Sequence, residues 1–393
     1  MDTYDFVTQP DRSESGSIKW MLMKDIDPEV SAEVLPMSVA DMEFSNAPEI
    51  IEGLKEHLDS YIFGYTGPTA SYYEAVIDWF KRRQGIEIEQ EWIVHTPGVV
   101  NALFHAVRAF TRPKDRVMVM RPVYPPFINA AKQQGRKIEN CPLKIKDGRY
   151  EIDFKLLESQ ATCKENKIMF FCSPHNPVGR VWTKEELLRV ADICHEHDIL
   201  LISDEIHGDI IMDGHKFHSF LELDHPVREH LIVMTSASKT FNLAGAGIAT
   251  TFIPNKKIRK RFKAALEESA THIANGLAYK TVELAYTKSE AWFDEVLKVI
   301  EHNRDLVMDF FKDTPIKVYP LEGTYLLWID FNALNLGNKE LAKFMAEAKI
   351  FGHQGHKFGK EGDGFQRWNI ALPTQALEAV LERYSKAVEE LDL

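Results

Sequence analysis

Six segments place a reactive or charged side chain just after an apolar run or inside a tight polar loop. Lys239 stands in SASKTFNLAGAG, directly after LIVMT, where serines and small residues leave room for a phosphate beside an amine. A lysine amine withdrawn from water loses its proton more easily and can attack a carbonyl or act as a base. Asp204 ends the run ILLISD, and a buried carboxylate there can keep a facing heteroaromatic nitrogen protonated. Asn176 lies in SPHNPVGR, where Pro177 stiffens the turn and the amide can donate to a phenolate oxygen. Tyr124, followed by two prolines after RVMVMRPV, offers a ring suited to stacking on a flat ligand. Thr96, Pro97, Gly98 and Val99 lead into a helix beginning near Val100, whose free N–H groups can receive a phosphate. Arg367 in GFQRWNIALP carries a guanidinium fork matched to a carboxylate.

Each residue alone also has a plain structural role. Lys239 reads as a solvated lysine, Asp204 as a helix cap, Tyr124 as a core aromatic and Arg367 as a surface ion-pair partner. Taken together they describe a site for a phosphorylated pyridine, pyridoxal 5′-phosphate (PLP), held as a Schiff base on Lys239 with Asp204 at its nitrogen. The electron-poor ring would then stabilise a carbanion at the α carbon of an amino acid.

The elements that must position these groups follow from the apolar runs. WIVHT (92–96), RVMVM (116–120), IMFFCS (168–173), ILLISD (199–204), LIVMTSAS (231–238) and GIATTFI (247–253) are short and mostly unalternated, as in strands buried on both faces. Between them lie amphipathic stretches such as 99–110 and 183–198, the latter opened by Thr183 with Glu186 three residues on, a capping-box spacing. Alternating strand and helix predicts an α/β fold with a mainly parallel sheet between helices, and ligands beyond the carboxyl ends of its strands. From about residue 288 the pattern changes to a long helix, a strand at TYLLWID (324–330) and a closing helix from Thr374. The reading is a large domain over 46–287, with 1–45 and 288–393 forming an N-terminal arm and a smaller α+β domain.

Composition bounds the function classes. The 393 residues carry a formal net charge of −12, with carboxylates scattered among lysines along the whole length, so no basic face is offered to nucleic acid. No apolar run approaches the ~20 residues of a membrane span, and the N-terminus lacks a signal-peptide pattern. A cytoplasmic location is expected. Cys141, Cys163, Cys172 and Cys194 are widely spaced and read as thiols. His353 and His356 in GHQGH have no carboxylates suited to a metal site beside them, so no metal is expected.

The ordered set TPGVVNAL, SPHNPVGRVW, SDEIHGDI, SASKTFNLAG and GFQRWNIALP resembles the aspartate-aminotransferase superfamily of fold-type-I PLP enzymes over almost the whole chain. LPMSVADMEF, FGYTGP (63–68) and the DEIH tetrad resemble more narrowly the MalY/PatB branch, cystathionine β-lyase-type enzymes that cleave carbon–sulfur bonds. The resemblance implies a PLP-dependent transferase-like fold with a seven-stranded sheet. It implies Lys239 as the Schiff-base lysine, Asp204 at the pyridine nitrogen, Asn176 on the 3′-oxygen and Tyr124 stacked on the ring. It further implies Gly98, Val99, Ser236 and Ser238 at the phosphate, His207 beside the cofactor, and Arg367, Asn176 and Val39 at the substrate. Tyr65 would reach the phosphate of a neighbouring subunit, so the resemblance implies a homodimer with shared active sites.

Two positions depart from the usual aminotransferase pattern and match the lyase branch. His207 stands three residues after Asp204, where transaminases commonly have a tyrosine. Gly247 stands eight residues beyond Lys239, where many have a phosphate-binding arginine. The expected reaction is α,β-elimination from cystathionine or a related S-substituted cysteine, releasing thiol, pyruvate and ammonia. A class I/II aminotransferase is the chief alternative, and a PLP-fold regulator acting through a protein partner is the other.

Overall fold

The computed structural model describes residues 4–271 and 275–391. Its strands are β1 (Ile93–Thr96), β2 (Arg116–Val119), β3 (Lys137–Asn140), β4 (Lys144–Lys146), β5 (Arg149–Glu151), β6 (Asn166–Cys172) and β7 (Leu200–Asp204). They continue with β8 (Leu231–Thr235), β9 (Ala249–Phe252), β10 (Lys317–Val318), β11 (Leu326–Asp330), β12 (His353–Gln354) and β13 (Phe365–Asn369).

One sheet has seven strands in the order β1-β9-β8-β7-β6-β2-β3. The run from β3 to β8 is parallel, and β9 is antiparallel to both its neighbours. Its central strands are apolar on both faces because each face packs on its own core. In β6, Ile168, Phe170 and Cys172 join one cluster while Met169 and Phe171 join the other. Every residue of β7 and β8 is buried. The run LIVMTSAS is strand only to Thr235, since Ser236 caps a short helix, Ala237–Thr240, by accepting from the Ser238 amide. β3 was not among the expected strands: KIEN is polar and partly exposed at the sheet edge, so no apolar run marks it.

The helix expected near Val100 spans Val99–Phe110, and the capping box forms as its spacing predicts, with Thr183 and Glu186 bonded reciprocally ahead of Lys184–Glu196. A second sheet, β10-β11-β13-β12, is antiparallel throughout. It lies with helices Glu290–Phe311 and Thr374–Glu389, whose Phe311 and Tyr384 meet Phe331 and Trp368 edge-on or tilted. The N-terminal segment joins this sheet: Met37 bridges Gly352, its carbonyl takes the Asn369 amide, and the Glu43 amide reaches Ala371. Among the described residues, no helix is long and apolar enough to cross a membrane.

Candidate active site

The parallel strands β6, β7 and β8 end side by side, with Cys172 paired to Asp204 and Asp204 to Met234. Beyond those ends lies a cavity of about 240 Å³. Tyr124, Asn176, Asp204, His207, Ser236, Ser238 and Lys239 line it, and so do Gly98 and Val99 at the helix end. Nine residues singled out from the sequence thus meet in one space. Arg367 reaches them from β13, its Nη1 donating to Asn176 Oδ1 at 3.0 Å. Val39 lies in the strip 38–41, where its carbonyl accepts from Asn369 Nδ2 at 2.8 Å and the Ser38 carbonyl accepts from Arg367 Nη2 at 2.6 Å. Tyr65 does not line the cavity of its own chain; it is 99% exposed.

Burial dominates the electrostatics. Asp204 is buried and accepts from the Ile206 amide at 3.2 Å, and desolvation pushes its carboxyl up to about 7 despite the nearby Lys239 charge. Lys239 donates to the Ala40 carbonyl at 2.6 Å; burial draws its pKa down to about 8, opposed by Asp41 and helped by Arg367. His207 is held well below the ordinary imidazole range by burial and by the Lys239 and Arg367 charges, and its Nδ1 has no hydrogen-bond partner. Arg367 is 2% exposed and is lowered to about 10 by burial. Among the described residues, no carboxylate pairs with it, and its Nε is unpartnered.

The cavity end at Gly98 and Val99 has the geometry of a helix terminus. Helix Val99–Phe110 has no side-chain cap, and a Cβ at Gly98 would meet nothing within 4 Å, so its first turn opens onto free space. Ser236 differs from Ser238 here: its hydroxyl donates to the Ile248 carbonyl at 2.7 Å, so its one proton is already engaged. Gly247 takes φ 64°, a left-handed conformation that disfavours the arginine common at this position elsewhere. The Asn176–Pro177 bond is cis.

Sequence reasoning missed the groups that surround Lys239 and Arg367. Tyr325 donates its hydroxyl to the same Ala40 carbonyl at 3.0 Å, and its ring meets His207 edge-on with centroids 5.7 Å apart. His353 Nδ1 lies 3.4 Å from Arg367 Nη2, and the guanidinium sits 5.0 Å from the centre of the Phe358 ring. His353 carried a signal as a candidate metal ligand, yet it belongs to the arginine's surroundings. The backbone carbonyls of Ser38 and Ala40 carry none, because any residue type supplies one.

The sequence matches the model of the family described as Aminotransferase class I and II over residues 32–383. It is 37% identical to cystathionine beta-lyase PatB of Bacillus subtilis, covering 98% of this chain and 99% of that one. The crystal structure of cystalysin from Treponema denticola, which contains a pyridoxal 5′-phosphate cofactor, superimposes with a TM-score of 0.97 at 47% identity over 99% of both chains. The PLP-bound C-S lyase from Staphylococcus hominis gives a TM-score of 0.89 at 30% identity over 98% of both chains. With a strand-end lysine, aspartate and asparagine gathered on one cavity and the family's profile matched over nearly the whole length, this chain belongs to the class I and II aminotransferases.

Proposed function

We propose that this chain is a PLP-dependent carbon–sulfur β-lyase acting on cystathionine or a related S-substituted cysteine. The observation that carries the reading is a buried guanidinium without a carboxylate, bonded to an asparagine that lines the same cavity as Lys239. Near-full-length likeness to a cystathionine β-lyase and to a carbon–sulfur lyase supports the lyase outcome over amino transfer.

The residues fit PLP. Asp204 is a desolvated carboxylate facing the cavity, the His207 Nδ1 is unpartnered, and the uncapped helix at Gly98 and Val99 opens onto it. Lys239 would hold the cofactor covalently, Asp204 would face its ring nitrogen, Asn176 its 3′-oxygen, and Tyr124 its flat face, with His207 beside it. Gly98, Val99 and Ser238 would hold the phosphate, and Ser236 would join them by turning its proton away from the Ile248 carbonyl. Bound there, PLP supplies an electron sink for the α carbon of the substrate.

The chain's own residues do the rest. Arg367 holds the substrate carboxylate through its fork, and Asn176 and the Ser38 carbonyl fix the angle of that fork. Val39 lies in the same strip, next to the substrate. Lys239 Nζ, once released from the cofactor, takes the α proton; in the cofactor-free chain its pKa of about 8 leaves roughly a tenth of it neutral at pH 7. The protonated Nζ can then return that proton to the departing thiolate. The three-carbon product hydrolyses to pyruvate and ammonia. Incubation with cystathionine should give pyruvate and free thiol in equal amounts; amino transfer to a keto acid without pyruvate would overturn the reading and favour the aminotransferase alternative.

The reading extends to a homodimer with shared sites. Tyr65 is 99% exposed beside Ile62 and Phe63 at 84% and 80%, an apolar tip that a second copy would cover. Equilibrium sedimentation should give twice the chain mass, and Tyr65→Ala should weaken PLP retention; a monomer that keeps PLP refutes this part. A cytoplasmic location is supported by four free cysteines. The division into 46–287 and 1–45 with 288–393 is supported by the two separate sheets.

A further inference from the structure

Residues 38–41 bring carbonyls to two functional cations at once. Ser38 O accepts from Arg367 Nη2, and Ala40 O accepts from Lys239 Nζ, both at 2.6 Å. Behind the strip lies an ionic cluster, buried at Lys19 and Glu43 and half-buried at Arg12 and Asp41, that the proposed reaction does not use. Lys19, 1% exposed, places Nζ 3.0 Å from the Asp41 carbonyl, 3.1 Å from Glu43 Oε1 and 3.6 Å from Asp41 Oδ1. Arg12 bridges the same two carboxylates at 2.9 and 3.0 Å, and Trp20 Nε1 donates to Glu43 at 3.1 Å. Buried ion clusters are a poor source of stability compared with apolar packing, so this one invites a reason tied to the site.

We propose that Lys19 and Asp41 are positioning residues for Lys239: together they fix the Ala40 carbonyl against its amine and set the balance of charge that the amine feels. The inference rests on Lys239 being the cofactor lysine. Lys239 faces Asp204 and His207 at and beyond β7, Arg367 of β13, and Asp41 and Lys19 of the N-terminal segment. Of these charges Asp41 raises its pKa most, ahead of Asp204, while Arg367 and Lys19 lower it. Removing Asp41 and removing Lys19 must therefore act in opposite directions, which simple loosening of the fold would not do.

The test uses the full chain freed of PLP, with pyridoxal 5′-phosphate added back at a series of pH values and covalent linkage followed by absorbance. Only the neutral amine attacks the aldehyde, so the rate reports the titration of Lys239 without any turnover. Asp41→Asn should move the midpoint down by about half to one pH unit, Lys19→Met should move it up, and Lys19→Arg should restore it. If Lys19→Met does not fold, Arg12→Gln, at a half-buried position, should also move the midpoint up, by less. Wild type that never links PLP would overturn the assignment of Lys239 itself. Normal linkage in wild type, with both variants shifted the same way or not at all, would overturn only this inference.

Discussion

Replacing Arg367 with methionine separates an arginine that awaits an anion from one that holds the fold. Burial draws its pKa from 12.5 to about 10, which at ~1.4 kcal/mol per pH unit is a cost of roughly 3 kcal/mol for keeping it charged. Its bonds to Asn176 and to the Ser38 carbonyl return about 1.5–3 kcal/mol each, so the two sides nearly cancel. Arg367→Met should therefore change unfolding free energy by less than about 2 kcal/mol, whereas breaking a structural buried ion pair costs about 3–5. Activity should respond very differently. Two charge-assisted bonds to a substrate carboxylate are worth about 3–6 kcal/mol, so kcat/KM should fall by about 10²–10⁴. The assays are denaturant unfolding and pyruvate release from an S-substituted cysteine. A loss above about 4 kcal/mol in stability, or a fall in kcat/KM below tenfold, would refute the reasoning.

Other outcomes follow from the same geometry. Lys239→Ala should abolish turnover and leave any bound PLP unlinked; borohydride that still fixes PLP to this variant would reassign the lysine. Asp204 has a folded-state pKa raised from 3.8 to about 7, so between those values the cofactor-free native state binds more protons than the unfolded chain and is penalised increasingly as pH rises. Cofactor-free Asp204→Asn should accordingly gain about 2–4 kcal/mol relative to wild type between pH 4 and pH 8, read from parallel denaturation curves; a pH-independent difference would contradict the desolvation argument. Thr183→Ala should cost about 1 kcal/mol by removing half of the capping box, with kcat/KM unchanged.

Much of the site was legible because parallel strands bury both faces and so write themselves as unbroken apolar runs. Asp204 and Lys239 could be placed at one edge simply by following ILLISD and LIVMT to their ends. β3 escaped because an edge strand needs no apolar run, and KIEN is polar. Arg367 was identified by its motif, yet its nearness to Asn176, 191 residues away in sequence, depends on how β13 packs against the large sheet. Ser236 shows another limit: its type fits a phosphate donor, while its hydroxyl proton serves the Ile248 carbonyl. Tyr325, His353 and the Ala40 carbonyl act on the site through tertiary contacts for which periodicity and composition have no code.

The bond from Arg367 to Ser38 spans 329 residues, and that from Tyr325 to Ala40 spans 285. During synthesis the strip 38–41 leaves the ribosome well before its partners at 325, 367 and 369. The seven strands of the large sheet are complete by Phe252, so a body with its strand ends in place can form long before the pocket is closed. Substrate binding through Arg367, as proposed, then waits until β13 has emerged, and a chain cut short before β13 would carry Lys239 and Asp204 without that guanidinium.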